Sequence, residues 1–210
     1  MPKQEVPLRQ LQDYLPEKSF EEVYAYLQQY KVHLTITRKR QTILGDYRNA
    51  YKEKTHRISV NGNLNPFSFL ITLLHELAHL LTYEQYGHRV QAHGAEWKKI
   101  FGNILSSFVS KDIFPPDIEN ALQKSLNNPA ASSCGDEHLL RTLRKYDEKK
   151  EGFTTVEELS VGAVFSIKGG RVFRKEEKIR KRHKCTEIST GKTYLFSGLY
   201  EVTLTENIRL

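Results

Sequence analysis

The stretch Asn65 to Tyr86, NPFSFLITLLHELAHLLTYEQY, decides how the rest of the chain is read. Asn65 is a good N-cap, Pro66 suits the first helical position where a missing N–H costs nothing, and helix-favouring Leu and Ala follow. The segment reads as a helix, apolar on most of its surface as expected for one buried in a core. One narrow stripe is polar. At about 100° per residue, Ser68, Thr72, His75, His79 and Thr82 share a sector roughly 80° wide, with Glu76 on its flank. Two imidazoles one turn apart on one face reach a single tetrahedral zinc, and the Glu after the first is placed to handle a water held by that metal. A lone His on an apolar helix is more often a hydrogen-bonded core residue. Two His and a Glu on one greasy helix are different, because burying them without a metal or partners costs several kcal/mol.

Working outward, Gly87 suits the position just past the helix end, and the run HRVQAHGAEWKKIFGNILSSFV leads into a second amphipathic helix over about 95–109. Three residues here are candidates for a third zinc ligand: His88, His93 and Glu96. A metzincin would need Gly and His at positions 82 and 85, which are Thr82 and Gln85, so that class is excluded. Glu96 would give a carboxylate from the next helix, and His88 sits just past the first. His93 is favoured, since the loop over 87–92 can carry it back towards His75 and His79 and Gly94 follows it at the helix start.

On the other side, Ser19 precedes FEEVYAYLQQY with Glu22 three residues on, a capping-box pattern opening a helix over about 19–30. The residues before it, 1–18, read as a loose lead-in or a short helix carrying Leu8, Leu11 and Leu15. Alternating β-branched and polar residues predict strands near 32–37 and 42–48, turned by the charged tip Arg38-Lys39-Arg40, and a third over His56 to Asn61. A peptidase substrate commonly lies extended beside a sheet edge, and Arg57 to Val60 is the candidate edge.

The 210 residues, 39% hydrophobic and 27% charged, suffice for one sizeable domain or a medium and a small one. No apolar stretch follows the opening charges, and the longest apolar run, Phe67 to Leu81, is too short and polar to span a membrane. A cytoplasmic protein is expected. Cys134 and Cys185 are too few for a disulfide framework or, alone, for a structural zinc site. Net charge is +7, and the nine Lys or Arg and two Glu between Lys168 and Lys184 give the same excess. One segment therefore carries the positive field.

His75-Glu76-Leu77-Ala78-His79, a loop, and then His93-Gly94-Ala95-Glu96-Trp97 together resemble the SprT-like zinc metallopeptidases, over roughly residues 19–127. The resemblance implies an α+β fold with a minimal zincin-like core, His75, His79 and His93 as ligands of one catalytic Zn2+, and Glu76 as general acid/base. Glu96 then becomes a helix-start carboxylate or a partner of a ligand. It also implies a protein or peptide substrate, with DNA-associated or DNA-crosslinked proteins as the family's sharper suggestion. Many of these proteins continue into a four-cysteine zinc ribbon, which two cysteines cannot build.

In its place, after a Pro-, Asn- and Ser-rich linker over 128–153 with a short charged helix from His138, come short β-rich runs with turns at Gly169-Gly170 and Thr190-Gly191. The expected organisation is a core over 1–127, that linker, and a basic β-rich module over 154–210. Arg171, Arg174, Lys175, Lys178, Arg180, Lys181 and Arg182, interleaved with Phe173, Tyr194, Phe196 and Tyr200, are candidate DNA contacts, although such aromatics are more often core and charge runs are usually solvated faces. The expected reaction is hydrolysis of a peptide bond by a zinc-activated water with Glu76 moving its proton, and Tyr83, Tyr86, His88 or Arg89 are candidates to stabilise the oxyanion. The reading from another class is a non-catalytic DNA-binding or scaffold protein with a structural zinc. Glu76 separates the two, because a structural site has no use for a carboxylate there.

Overall fold

A computed structural model describes residues 8–40, 43–52, 54–126, 136–148 and 152–204. The chain divides into two compact units, Met1–Asp147 and Glu148–Leu210.

In the first unit a 3₁₀ turn, Leu8–Tyr14, buries Leu11, and Leu15 follows it into the same core, so the lead-in is anchored through Leu11 and Leu15. Helix α1, Phe20–Gln29, packs through Val23 and Leu27. Its expected capping box does not form. Ser19 is buried and donates to Pro16 O at 2.7 Å, while Glu22 accepts from Ser107 at 3.2 Å and pairs with Lys111. The carboxylate that suits a helix start is used to tie two helices together.

Strands β1 (His33–Thr37), β2 (Gly45–Arg48) and β3 (Arg57–Asn61) make a sheet in the order β1-β3-β2. β1 runs parallel to β3, with His33 opposite Arg57, and β2 runs antiparallel to it, with Gly45 opposite Val60. Arg38-Lys39-Arg40 therefore turns no hairpin, since β3 lies between the strands it joins. Arg40 folds back instead: Nε donates to Asn61 Oδ1 at 2.7 Å and Nη1 to Ser59 Oγ at 2.9 Å. The strand expected at the edge, Arg57–Val60, is the central one with both sides paired, and β2 is an edge.

Helix α2, Pro66–Tyr86, begins as its sequence predicts. Asn65 Oδ1 accepts from the Ser68 N–H at 2.9 Å, and its Nδ2 donates to Leu143 O at 3.0 Å and Asp147 Oδ1 at 2.6 Å. At the far end Gly87, at φ 63°, turns the chain and donates to Tyr83 O at 2.7 Å. That left-handed φ is natural for glycine. Helices α3 (Ala95–Val109), α4 (Pro116–Ser125) and α5 (Glu137–Leu143) complete the unit, and Leu139 and Leu143 of α5 join the core around α2. The charged helix expected within a linker is thus part of the first unit, whereas 127–135, including Cys134, lies outside the described residues.

The second unit is an antiparallel sheet of β4 (Phe153–Thr155), β5 (Val164–Ser166), β6 (Val172–Ile179), β7 (Arg182–Glu187), β8 (Thr193–Ser197) and β9 (Glu201–Leu204), in the order β4-β9-β5-β6-β7-β8. Its core is Val156, Leu159, Phe165, Phe173, Cys185 and Val202. β6 runs straight through Arg174-Lys175-Glu176-Glu177-Lys178, a stretch too charged to be expected as strand, because β7 pairs along it across a bulge between Lys175 and Lys178. Among the described residues no helix is long and apolar enough to cross a membrane.

Candidate metal centre

His75 and His79 stand one turn apart on α2, and the following loop returns His93 from the position before the N-cap of α3. Their Nε2 atoms lie 3.2 Å apart between His75 and His79, 3.0 Å between His79 and His93, and 3.2 Å between His93 and His75. Among the described residues, this trio is the group of His, Cys, Asp or Glu side chains placed to hold a metal ion. His93 reaches it at a cost, for its φ is 61°, a left-handed conformation uncommon outside glycine. Gly94 eases the close approach that follows, because a Cβ there would stand a tight 3.0 Å from Gln91 O.

Trp97, fully buried on the first turn of α3, floors the site with its ring centroid 4.7 Å from those of His75 and His93 and 5.2 Å from that of His79. This apolar floor disfavours charge on the rings. Burial, with the other two imidazoles adding to it, pushes the pKa of His75 down to about 3; burial and His93 push that of His79 down to about 4; and burial lowers that of His93. All three are neutral near pH 7, with lone pairs to give.

The donor set fits a cation. Three neutral imidazoles cannot all satisfy one another around such a triangle: whichever tautomers they adopt, at least one pair of Nε2 atoms faces proton to proton or lone pair to lone pair. A shared ion removes the conflict. Nitrogens bound to one tetrahedral zinc at about 2.0–2.1 Å stand about 3.3–3.4 Å apart, close to the spacing seen here.

Glu76, 6% exposed, lies beside the trio against β2. The approach is close enough that a Cβ on Gly45 would overlap the Glu76 carboxylate, standing 2.8 Å from its Cγ and 2.9 Å from its Cδ. Burial first and Asp46 second push the Glu76 carboxyl up to about 8, against the opposing pull of Arg40. A cation held by the trio would favour the ionised form of that carboxyl and draw its pKa back towards the range in which it both takes and gives a proton near pH 7.

The model of the SprT-like family matches residues 8–119, just over half of the chain, and takes in the trio and Glu76. The chain belongs to the SprT-like family. No curated protein and no solved structure matches it.

Within this SprT-like unit the other residues singled out from the sequence fall elsewhere. His88 is exposed and meets the Tyr83 ring edge-on at 5.1 Å, and Glu96 lies in the first turn of α3 outside the trio. Thr72 and Thr82 of the polar stripe donate back to Ser68 O at 2.8 Å and Ala78 O at 2.7 Å, which hides their hydroxyls in the helix. Arg89 is exposed and donates to Tyr86 O at 3.1 Å. Sequence reasoning missed Gly45 and Tyr47 of β2, which approach Glu76 and His79, and His56 just before β3 and Glu84 near the end of α2, which are linked to Tyr47. A Gly within a short strand signals close backbone approach, but nothing in their spacing joins the other three.

The basic segment, beyond the SprT-like match, does not form one face. Lys175 is 5% exposed and donates inward to Leu159 O at 2.5 Å, so it is no surface contact. Arg171 is exposed but committed: Nε pairs with Glu187 at 2.6 Å, and the guanidinium stacks over Phe173 and Tyr194 at 5.1 and 4.7 Å. Phe173 is core, with Tyr194 and Phe196 packed against it. Arg174, Lys178, Arg180, Lys181 and Arg182 are exposed, four of them at the hairpin joining β6 and β7.

Proposed function

We propose that this chain is a zinc-dependent peptidase, with His75, His79 and His93 holding the metal and Glu76 as general acid/base. The observation that carries the reading is the convergence of three imidazole Nε2 atoms, 3.0 to 3.2 Å apart, beside the buried carboxyl of Glu76. Zinc supplies Lewis acidity there, acidifying water and polarising a carbonyl. Glu76 receives the proton of the attacking water at its carboxylate and returns it to the departing amine, so the group that begins the reaction as base ends it as acid. β2 supports a docking role: it pairs with β3 on one side only and runs beside Glu76, so its outer main-chain groups suit an extended polypeptide.

DNA-associated or DNA-crosslinked proteins are the substrates in this reading, brought near by the exposed cations of the β6–β7 hairpin. One experiment tests both parts. Zinc content is measured for wild type and Glu76→Gln, and each is assayed on an unfolded protein with and without single- and double-stranded DNA. Zinc near one per chain in both, with cleavage at least about 100-fold slower in Glu76→Gln, is expected. Equal activity in the two sinks the mechanism, and cleavage indifferent to DNA removes the DNA-linked substrate.

A further inference from the structure

Beside the trio runs a chain of groups that the reaction does not use. Tyr47 of β2 lies with its ring parallel to that of His79, 5° between the planes and 6.5 Å between centroids. Its other neighbour is His56, stacked at 5.9 Å and 16°. The Tyr47 hydroxyl meets His56 Nδ1 at 3.0 Å, and the backbone N–H of Ala50 donates to the same nitrogen at 3.3 Å. Because a backbone N–H points at it, Nδ1 carries the lone pair and the ring proton sits on Nε2. Nε2 in turn faces Glu84 Oε1 at 3.2 Å. His56 is 7% exposed, so the middle of the chain is shielded, whereas the Glu84 side chain at its end is 45% exposed.

The direction of the chain is consistent throughout: Tyr47 O–H donates to His56, and His56 N–H donates to Glu84. Glu84 belongs to α2, the helix that also carries His75 and His79. The loop is therefore closed. It leaves α2 at Glu84, crosses His56 beside β3, reaches Tyr47 on β2, and returns to α2 through the face of His79.

We propose that Tyr47, oriented by His56 and Glu84, is a positioning residue that fixes the His79 imidazole and holds strand β2 in register with the helix bearing the ligands. This rests on the reading of the trio as a metal site. A flat ring stacked on a ligand limits its rotation about the Cβ–Cγ bond, and the hydrogen bond to His56 anchors the Tyr47 ring at its hydroxyl end so that it does not swing away. Partners that orient ligands are typically worth 10–100-fold in metal affinity or activity. Tyr47 donates its proton to His56, so its role is orientation and it carries no proton for the reaction.

The test uses cobalt as the probe, because its visible absorption reports ligand geometry without any turnover. Full-length wild type, Tyr47→Phe, Glu84→Ala and Glu84→Gln are titrated with Co2+, and zinc affinity is measured by competition with a chromophoric chelator. Tyr47→Phe keeps the ring and loses the donor. Glu84→Ala ends the chain at a half-exposed position where unfolding is no concern, and Glu84→Gln keeps an acceptor oxygen for His56. Tyr47→Phe and Glu84→Ala are expected to shift the cobalt bands alike and weaken zinc about 10-fold, with melting temperatures close to wild type, and Glu84→Gln to restore most of both. Unchanged bands and affinity in Tyr47→Phe and Glu84→Ala, beside a wild type that binds cobalt, overturn the proposal alone. A wild type that binds neither ion overturns the metal site itself.

Discussion

His93 shows what one residue is asked to give up for this site. Its left-handed φ is a cost of bringing its ring to the trio, where Gly94 leaves room at the close approach and the Trp97 ring packs against the imidazole. Glu187 shows the opposite economy in the second unit, where a carboxylate facing the interior is made comfortable by its partners. Arg171 Nε meets it at 2.6 Å and Thr190 Oγ1 donates at 2.6 Å, and these contacts hold the carboxyl down at about 2. Its pKa in the folded chain is below the ordinary 4.5, so folding favours the ionised form. The stability this contributes is complete above about pH 4.5 and is lost as pH falls through about 2. Followed by the NMR intensities of β7 amides, the melting temperature of the wild-type module should fall between pH 5 and pH 2. Glu187→Gln should start lower and lose part of that slope; a parallel curve would show that other carboxyls govern acid unfolding.

At the scale of elements, α1, α2 and α3 were legible, α4 was not singled out from the sequence, and the sheet was only half legible. α2 begins and ends, and α3 begins, where Asn65, Pro66, Gly87 and Gly94 place them, because caps and helical periodicity are local signals. The pairing of β1 with β3 is parallel and skips β2, a choice made by tertiary packing that no short-range pattern announces. The trio was readable for the same reason as the helices: two of its imidazoles lie one turn apart, and the third stands at a helix start marked by Gly94. Tyr47, His56 and Glu84 were not, since they meet only once the sheet is assembled. That assembly sets β2 against α2 with no room for a side chain at position 45. Gly45→Ala should therefore push the Glu76 carboxyl aside while leaving the imidazoles in place. The expected result is zinc content and melting temperature near wild type with kcat reduced about 10-fold or more, since a displacement of about 1 Å costs on the order of 100-fold. Undiminished kcat would show that β2 gives way instead, and that the close approach does not hold Glu76.

For the whole molecule, the net charge of +7 is matched by the excess between Lys168 and Lys184, yet only part of that segment faces outward as free-standing charge. Lys175 is buried, Arg171 is spent on Glu187, and Lys184 pairs with Glu176 at 2.8 Å and Glu177 at 3.5 Å. What remains concentrated is the end of the β6–β7 hairpin, with Lys178, Arg180, Lys181 and Arg182 exposed around Ile179, itself 43% exposed. The core aromatics of the module are turned inward, so binding there would rest on phosphate contacts, without base stacking by Phe173. Such binding is blind to sequence and steep in salt. Each cation that neutralises a phosphate contributes about 0.9 to the slope of log affinity against log salt on duplex DNA. Arg180→Glu with Lys181→Glu should lower the magnitude of that slope by about 2 and abolish any stimulation of cleavage by DNA, while cleavage of a short peptide without DNA stays at the wild-type rate. The two substitutions lie in a turn with exposed side chains, so the fold is not at stake. An unchanged slope would place DNA elsewhere on the molecule, and a fall in peptide cleavage would mean that the hairpin serves the proposed peptidase site directly and not only a nucleic acid.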